Sequence, residues 1–451
     1  MSAAPHRKTA DKKGSSRTPG SSREAKPQSA IRIPQFLWVA LALAVLAGIP
    51  FMLGKYFEIK SPDPYDSGCY VYSAKHVLSG ARIGYDEKPS AQAGTLLMNM
   101  LGVTLSGFNE TGSKVLQGLF QAAAFTFLFI TIRRLYGSLA AVLSVTVASV
   151  FLSAPLIAKY GNVKEQFMIA FMIMGICCFV WYHLTGKWWL AVLTGMLLVW
   201  GPMFKQTGMS ALGAVVIFTL IQAILRRRAW KKAAKDVVLP FIGGFIIVAP
   251  IVGWYVYMGS AVHYWPYSFV LKPALSMVGV DTNKGQVTES QQPAAQTKPE
   301  QEAERGLILK LLPGYVSNSW AALDPAARHQ VTLRVLRYYG LLILPIALAL
   351  GAIAARGVVV LRARRVKAAA PVEQDTGRFV LLFGLWWFFD MAFVWISPHT
   401  YEQYFLPLNA SGASLGGCLA GAYMHKLQIS RDKTRWKVLG LLGLLAMLIM
   451  S

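Results

Sequence analysis

Charge is scarce in this chain, and acid scarcer still. Of 451 residues only 15% are charged, and 45 Lys and Arg outnumber 21 Asp and Glu. An ordinary soluble domain carries about 25% charged residues, so a large water-facing globular surface is excluded. Cysteine is nearly absent: Cys69 stands alone in a polar stretch, while Cys177, Cys178 and Cys418 fall within apolar runs. That pattern gives no disulfide framework, and the last three read as small buried hydrophobes. The first apolar run begins at residue 34 and is long enough to stay as a span, so no cleavable signal peptide is expected. No internal repeat is visible, which lowers the expectation of an inverted-repeat transporter.

What the chain has instead is apolar length, with 55% hydrophobic residues. A span needs about 20 apolar residues to cross roughly 30 Å of hydrocarbon. Runs of that kind lie at 34–54, 115–132, 138–158, 166–184, 188–204, 207–225, 237–257, 336–355, 378–396, 404–424 and 438–451. The expected fold is an all-α polytopic membrane bundle of about eleven transmembrane helices. With a cytoplasmic N-terminus, the basic stretches "RR" (133–134), "RRRAWKK" (226–232), "RARRVK" (362–367) and "RDKTRWK" (431–437) all land inside. The net charge of +24 therefore reads as the positive-inside rule rather than as a nucleic-acid surface. One segment decides this topology. "GTLLMNMLGVTL" (94–105) is apolar but reaches only about 18 Å as a helix, so it is placed as an interfacial helix on the outer face.

The chain divides by composition. Residues 1–32 are rich in Ser, Pro, Lys and Arg and read as a disordered, solvated cytoplasmic tail, with attraction to anionic lipid as the alternative. Residues 33–257 form an N-terminal transmembrane module with a long first external loop, 55–113. Residues 258–335 form a second external loop, aromatic at its start and Gln/Pro/Ala-rich in its middle. Residues 336–451 carry the C-terminal helices. Asn109 opens a glycosylation sequon, a weak three-residue match.

The first loop holds "YDSGCYVYSAKHVLSGARIGYDEKPS" (65–90). Tyr70, Ala74, Val77 and Leu78 share i, i+4, i+7, i+8 spacing, predicting an amphipathic helix on the bilayer surface that ends at Gly80. Asp66 opens it, and from pattern alone an N-cap explains Asp66 as well as catalysis does. This stretch resembles the first external loop of the GT-C superfamily, in particular the bacterial branch related to protein mannosyltransferases and the lipid A aminoarabinose transferase. Members typically show an Asp-Glu-Gly-x-Tyr start, a short helix, and an acidic-Lys-Pro-Pro element. The likeness continues in order through "KYGNVKEQFMIAF" (159–171), "FKQTG" (204–208) and "YEQYFLPLNASGASLGGCLAG" (401–421). There are departures: Ser67 stands where a second acid is usual, Ser90 replaces the second Pro, and Gln403 replaces a frequent His. The missing acid weighs against a metal site shared by neighbouring carboxylates.

The resemblance implies an enzyme that takes a sugar from a polyprenyl-phosphate donor and inverts its configuration. The reacting bond lies at headgroup level, so catalytic groups must lie there too. An acceptor hydroxyl needs a general base, and Asp66 is the candidate. The leaving lipid phosphate develops charge that a fixed cation stabilises; Lys88 comes first and Lys205 second, against a reading of both as snorkelling interfacial lysines. Glu165 is read as orienting the acceptor or helping to hold a divalent cation. Tyr70, Asp86, Glu87, Asp390, His399, Tyr401, Glu402 and Gln403 are placed in the substrate cavity. Local helix–helix hydrogen bonding is the alternative for Asp390, and a plain polar turn for 399–403. The partners expected are the lipid-linked sugar, an acceptor glycan, lipid or protein, and the bilayer, with no nucleic acid. The setting expected is a bacterial inner membrane with the site on its periplasmic face. A flippase of lipid-linked sugars and an oligosaccharide ligase of related architecture are the competing functions. Spans nearly free of charge, with acids and amides gathered at one face, favour the enzyme.

Overall fold

The computed structural model describes residues 48–49, 51–62, 66–153, 161–225, 227–262, 374–396 and 406–430. The N-terminal tail, most of the 258–335 loop, the runs at 336–355 and 438–451, and the 397–405 turn lie outside the described residues.

The described residues are helical, with a single isolated bridge between Ile83 and Glu87. The first helical stretch, α1, covers 51–60. There follow α2 (Asp66–Leu78), α3 (Ala93–Ser106), α4 (Thr111–Tyr136), α5 (Ser138–Ser153) and α6 (Lys164–Thr185). Then come α7 (Trp188–Leu198), α8 (Trp200–Phe204), a 3-10 turn (Gln206–Gly208), α9 (Met209–Ile224), α10 (Trp230–Tyr257), α11 (Gln374–Ile396) and α12 (Leu406–Ser430). Where they are described, the expected apolar runs are helical, that at 188–204 being broken at Val199 into two short helices. Among the described residues four helices are long and apolar enough to cross a membrane: α4, α6, the 3-10 turn joined to α9, and α10. The segment at 94–105 lies in the 14-residue α3, about 21 Å long at 1.5 Å per residue and too short for a simple span.

α6 is the centre of the bundle. Nearly its whole length is buried, from Glu165 to Tyr182, because α4, α7, α9 and α12 surround it. A helix buried all round reads as apolar all round, and "FMIAFMIMGICCFV" (167–180) does. α7 lies against α10 with their backbones in contact. A Cβ on Gly195 would stand 1.7 Å from the Pro240 carbonyl oxygen, and one on Gly243 would stand 1.9 Å from that of Val192. In lipid, association rests on close packing rather than on the hydrophobic effect, and these two glycines permit it. The pairing fixes the end of α10 beside the first loop, where Ile83 N–H donates to Ser260 Oγ (3.0 Å) and Ala261 N–H donates to the Ile83 carbonyl (2.9 Å).

Candidate active site

Asp66 occupies the first turn of α2, exposed, where unpaired helix N–H groups favour an anion. The helix ends where expected, with Gly80 at φ +100°, a conformation glycine adopts without strain. Its buried face is Ser67, Tyr70, Val71, Ser73, Ala74 and Val77. Leu78, expected on that face, is 46% exposed, since the chain leaves the helix there. Ala74 and Val77 pack with Ile83, Ala93 and Leu96, so α2 rests on α3 as well as on any lipid.

The two acids of "DEK" are engaged by partners other than Lys88. Asp86 closes its own turn, accepting from Arg82 Nε (2.8 Å), Nη2 (3.1 Å) and the Arg82 N–H (3.0 Å). Those bonds hold its carboxyl down at about 2 although it is exposed. Glu87 accepts from Ser73 Oγ (2.8 Å) and meets His76 Nδ1 at 2.7 Å, fastening the turn to α2. Lys88 is exposed between them and Pro89, with no ion pair among the described residues.

Lys205 and Glu165, forty residues apart, meet in a buried ion pair at 2.8 Å. Glu165 is fully buried and Lys205 is 8% exposed. Glu165 lies in the first turn of α6; Lys205 lies in the extended break after α8. Phe167 and Phe204, each close to one partner in sequence, stack at 5.4 Å and hold the two segments in register. Desolvation lowers the Lys205 ammonium to about 8, against the opposing pull of Glu165. Only one carboxylate oxygen of Glu165 is used: its Oε2 is buried without a hydrogen-bond partner among the described residues. Beside Lys205, Gln206 Oε1 accepts from Gln92 Nε2 at 3.0 Å, tying this break to the segment that leads into α3.

A second polar group at this end was missed by the sequence reading. Lys55 pairs with Glu58 and donates to Gln166 Oε1 at 2.9 Å. Lys114 donates to the Ser61 carbonyl and pairs with Glu110 at 3.3 Å. Gln117 Nε2 donates to the Val163 carbonyl at 2.9 Å. Lys114, Gln117 and Gln121 are all buried; their i, i+3, i+7 spacing on an otherwise apolar helix is the signal that marks them.

The remaining expected residues lie elsewhere. Asp390 is buried in α11 and accepts from Ser210 Oγ at 2.5 Å, a helix–helix hydrogen bond to α9. His399, Tyr401, Glu402 and Gln403 lie outside the described residues. Among the described residues no three His, Cys, Asp or Glu side chains come together to hold a metal.

The dolichyl-phosphate-mannose-protein mannosyltransferase family model matches residues 94–254, from α3 to near the end of α10. No curated protein matches the chain in sequence. Among solved structures it is similar to ArnT from Cupriavidus metallidurans bound to undecaprenyl phosphate, at 16% identity and TM-score 0.50, covering 84% of this chain and 59% of that one. It is also similar to the Archaeoglobus fulgidus oligosaccharyltransferase in its apo form, at 12% identity and TM-score 0.51, covering 90% and 52%. A third likeness is to AglB, the archaeal oligosaccharyltransferase of Archaeoglobus fulgidus, in complex with an inhibitory peptide and a dolichol-phosphate. It has 13% identity and TM-score 0.50, covering 88% and 51%. The chain thus spans between half and three-fifths of the length of these structures. At such identities the likeness is one of fold, and it agrees with the resemblance carried by the first loop. The chain is a polytopic, all-α membrane protein with the GT-C fold of membrane glycosyltransferases.

Proposed function

We propose that the chain moves a sugar from a polyprenyl-phosphate donor to an acceptor hydroxyl on the non-cytoplasmic face of a bacterial inner membrane. The observation that carries this reading is the buried Lys205–Glu165 pair. It is bonded through Gln206 and Gln92 to the loop that also bears Asp66 and Lys88. A cation held in a dry site at one end of a helical bundle suits a lipid phosphate, whose charge stays at headgroup level while its tail stays in hydrocarbon.

The reaction then runs in one displacement. The acceptor oxygen attacks the anomeric carbon and passes its proton to the Asp66 carboxylate. The bond from that carbon to the phosphate oxygen breaks on the opposite side, so configuration inverts. The polyprenyl phosphate leaves with the electron pair, its charge met by Lys88 and Lys205. Donors already in place for such developing charge are worth about 3–4 kcal/mol each. Glu165 holds Lys205 through one carboxylate oxygen and keeps the other without a partner among the described residues.

The test pairs two experiments. Mass spectrometry of lipid-linked sugars accumulating in a deletion strain identifies the donor, and distinguishes a monophosphate from the diphosphate of an oligosaccharide ligase. That donor is then supplied to vesicles holding wild-type or Asp66→Asn protein. Loss of transfer by about 10²-fold or more, the size expected for a general base, supports the assignment; equal transfer by the two proteins rejects it.

A further inference from the structure

Asn162 combines two features that a folded chain does not keep without cause. Its backbone is left-handed, at φ +53°, the one such non-glycine residue among those described. Asparagine tolerates that region better than other side chains, yet at a cost that glycine avoids. Its side chain is 1% exposed, and Oδ1 is buried with no hydrogen-bond partner among the described residues. An unsatisfied buried carbonyl is also costly.

Its donors show what offsets these costs. One Nδ2 proton goes to Ser67 Oγ at 2.8 Å and the other to Asn99 Oδ1 at 2.9 Å. Asn99 also accepts from Ser113 Oγ at 2.9 Å. The Asn162 backbone N–H donates to Gln117 Oε1 at 3.2 Å. One residue therefore binds α2, α3 and α4 together. Ser67 is the neighbour of Asp66, and Asn162 lies three residues ahead of Glu165. Ser67 stands where the family resemblance leads one to expect a second acid. Glycine here would relieve the backbone but leave α2 without this tether.

The geometry points to Asn162 as a positioning residue: through Ser67 it sets where Asp66 stands relative to the Glu165–Lys205 pair. This role rests on the proposed transferase reading for its catalytic consequence, but the tether itself is testable without any turnover.

The experiment uses the full chain in lipid nanodiscs and compares wild type with Asn162→Gly, Ser67→Ala and the double variant. Asn162→Gly keeps the left-handed turn, so the fold survives while the side chain is lost. Amide hydrogen exchange is read on peptides covering α2 (66–78) and α6 (164–185). Losing the bond to Ser67, together with the one to Asn99 of the α3 on which α2 rests, is expected to speed α2 exchange about tenfold, with α6 unchanged. Ser67→Ala gives a smaller acceleration, and the double variant gives less than the product of the two, since they remove one shared bond. Binding of undecaprenyl phosphate, followed by native mass spectrometry, stays within about twofold, and transfer loses kcat by about tenfold or more with the donor KM held. Unchanged α2 exchange in Asn162→Gly overturns the tether. Equal acceleration in α2 and α6 overturns it too, making Asn162 a general fold residue. Faster α2 exchange with intact kcat overturns the catalytic placement. If instead Asp66→Asn is fully active while α2 still loosens, the tether stands and the Asp66 assignment is what fails.

Discussion

α6 carries a buried carboxylate contact at each end, and the two are built differently. Near its C-terminus, Asp236 of α10 is saturated: Oδ1 accepts from Tyr182 Oη (2.6 Å) and Arg228 Nη2 (2.7 Å), and Oδ2 from Arg228 Nε (2.6 Å). Near its N-terminus, Glu165 spends one oxygen on Lys205 and leaves the other without a partner among the described residues. The ends are 17 residues apart along the helix, about 25 Å at 1.5 Å per residue. The bidentate Arg228 fork is the strong geometry for a structural clasp. An ion pair with unused valence is instead what a site keeps for something that arrives. The comparison separates a staple from a working pair by counting bonds on the carboxylate.

Removing the staple should cost most. Asp236→Ala leaves the Tyr182 hydroxyl and the part-buried Arg228 without their acceptor, and breaking one side of a buried pair typically costs about 3–5 kcal/mol. Thermal unfolding in detergent should show a clearly lowered midpoint, while transfer per folded molecule stays at the wild-type level. A variant that folds well but has lost transfer would erase the distinction between the two ends.

The working pair predicts the reverse. Replacing both partners, Glu165→Leu with Lys205→Met, removes two buried charges together. Such a swap is often neutral or stabilising, by about 1–4 kcal/mol. Thermal unfolding should therefore hold or rise, while transfer falls about 10²–10³-fold with the loss of the phosphate-facing cation. Retained transfer in this variant would reduce the pair to a second staple.

Much of this end was legible in the sequence, and what was not has one physical source. The short α3, the helix opened by Asp66 and its stop at Gly80 follow from apolar period, length and a glycine. Glu165 and Lys205 were each singled out, but not their pairing, because forty residues separate them and no local pattern encodes a tertiary contact. The partners of Glu87 were out of reach for the same reason: Ser73 and His76 lie across a turn on α2. Nothing in the sequence singles out Asn162. Its left-handed backbone leaves no mark in the sequence, and Ser67, its partner, is 95 positions away. The Lys114–Gln117–Gln121 face was within reach, since polar residues at helical spacing on an apolar span are themselves a signal.

Acidity offers a smaller and more graded test of the working pair. Lys205 sits at about 8, below the 10.5 of an ordinary lysine, so folding disfavours its charged form. Between about 8 and 10.5 the unfolded state binds more protons, and this group makes stability rise with pH across that window. Phosphate binding should move the other way. Undecaprenyl phosphate affinity, measured by native mass spectrometry from neutral pH upward, should weaken as pH passes about 8, approaching tenfold per unit if the ammonium supplies the attraction. Lys205→Arg, which stays charged throughout, should flatten that profile. A wild-type profile that is flat through this range would remove Lys205 from the phosphate site.

The smallest effect is expected at Asp86, which is saturated like Asp236 but exposed. Three hydrogen bonds from Arg82 hold its carboxyl at about 2. A carboxyl held below its ordinary value contributes stability above about 3.9 that is lost as pH falls toward 2, and water screens the contribution here. Arg82→Ala should therefore leave the unfolding midpoint at neutral pH almost unmoved. Its signature is local: the Asp86 carboxyl, followed by NMR with selectively labelled aspartate, should return toward about 3.9, and transfer should stay within about twofold. If transfer instead falls as far as it does without the Lys205–Glu165 pair, the turn before Lys88 is part of the working end, and bond saturation alone no longer tells a staple from a site.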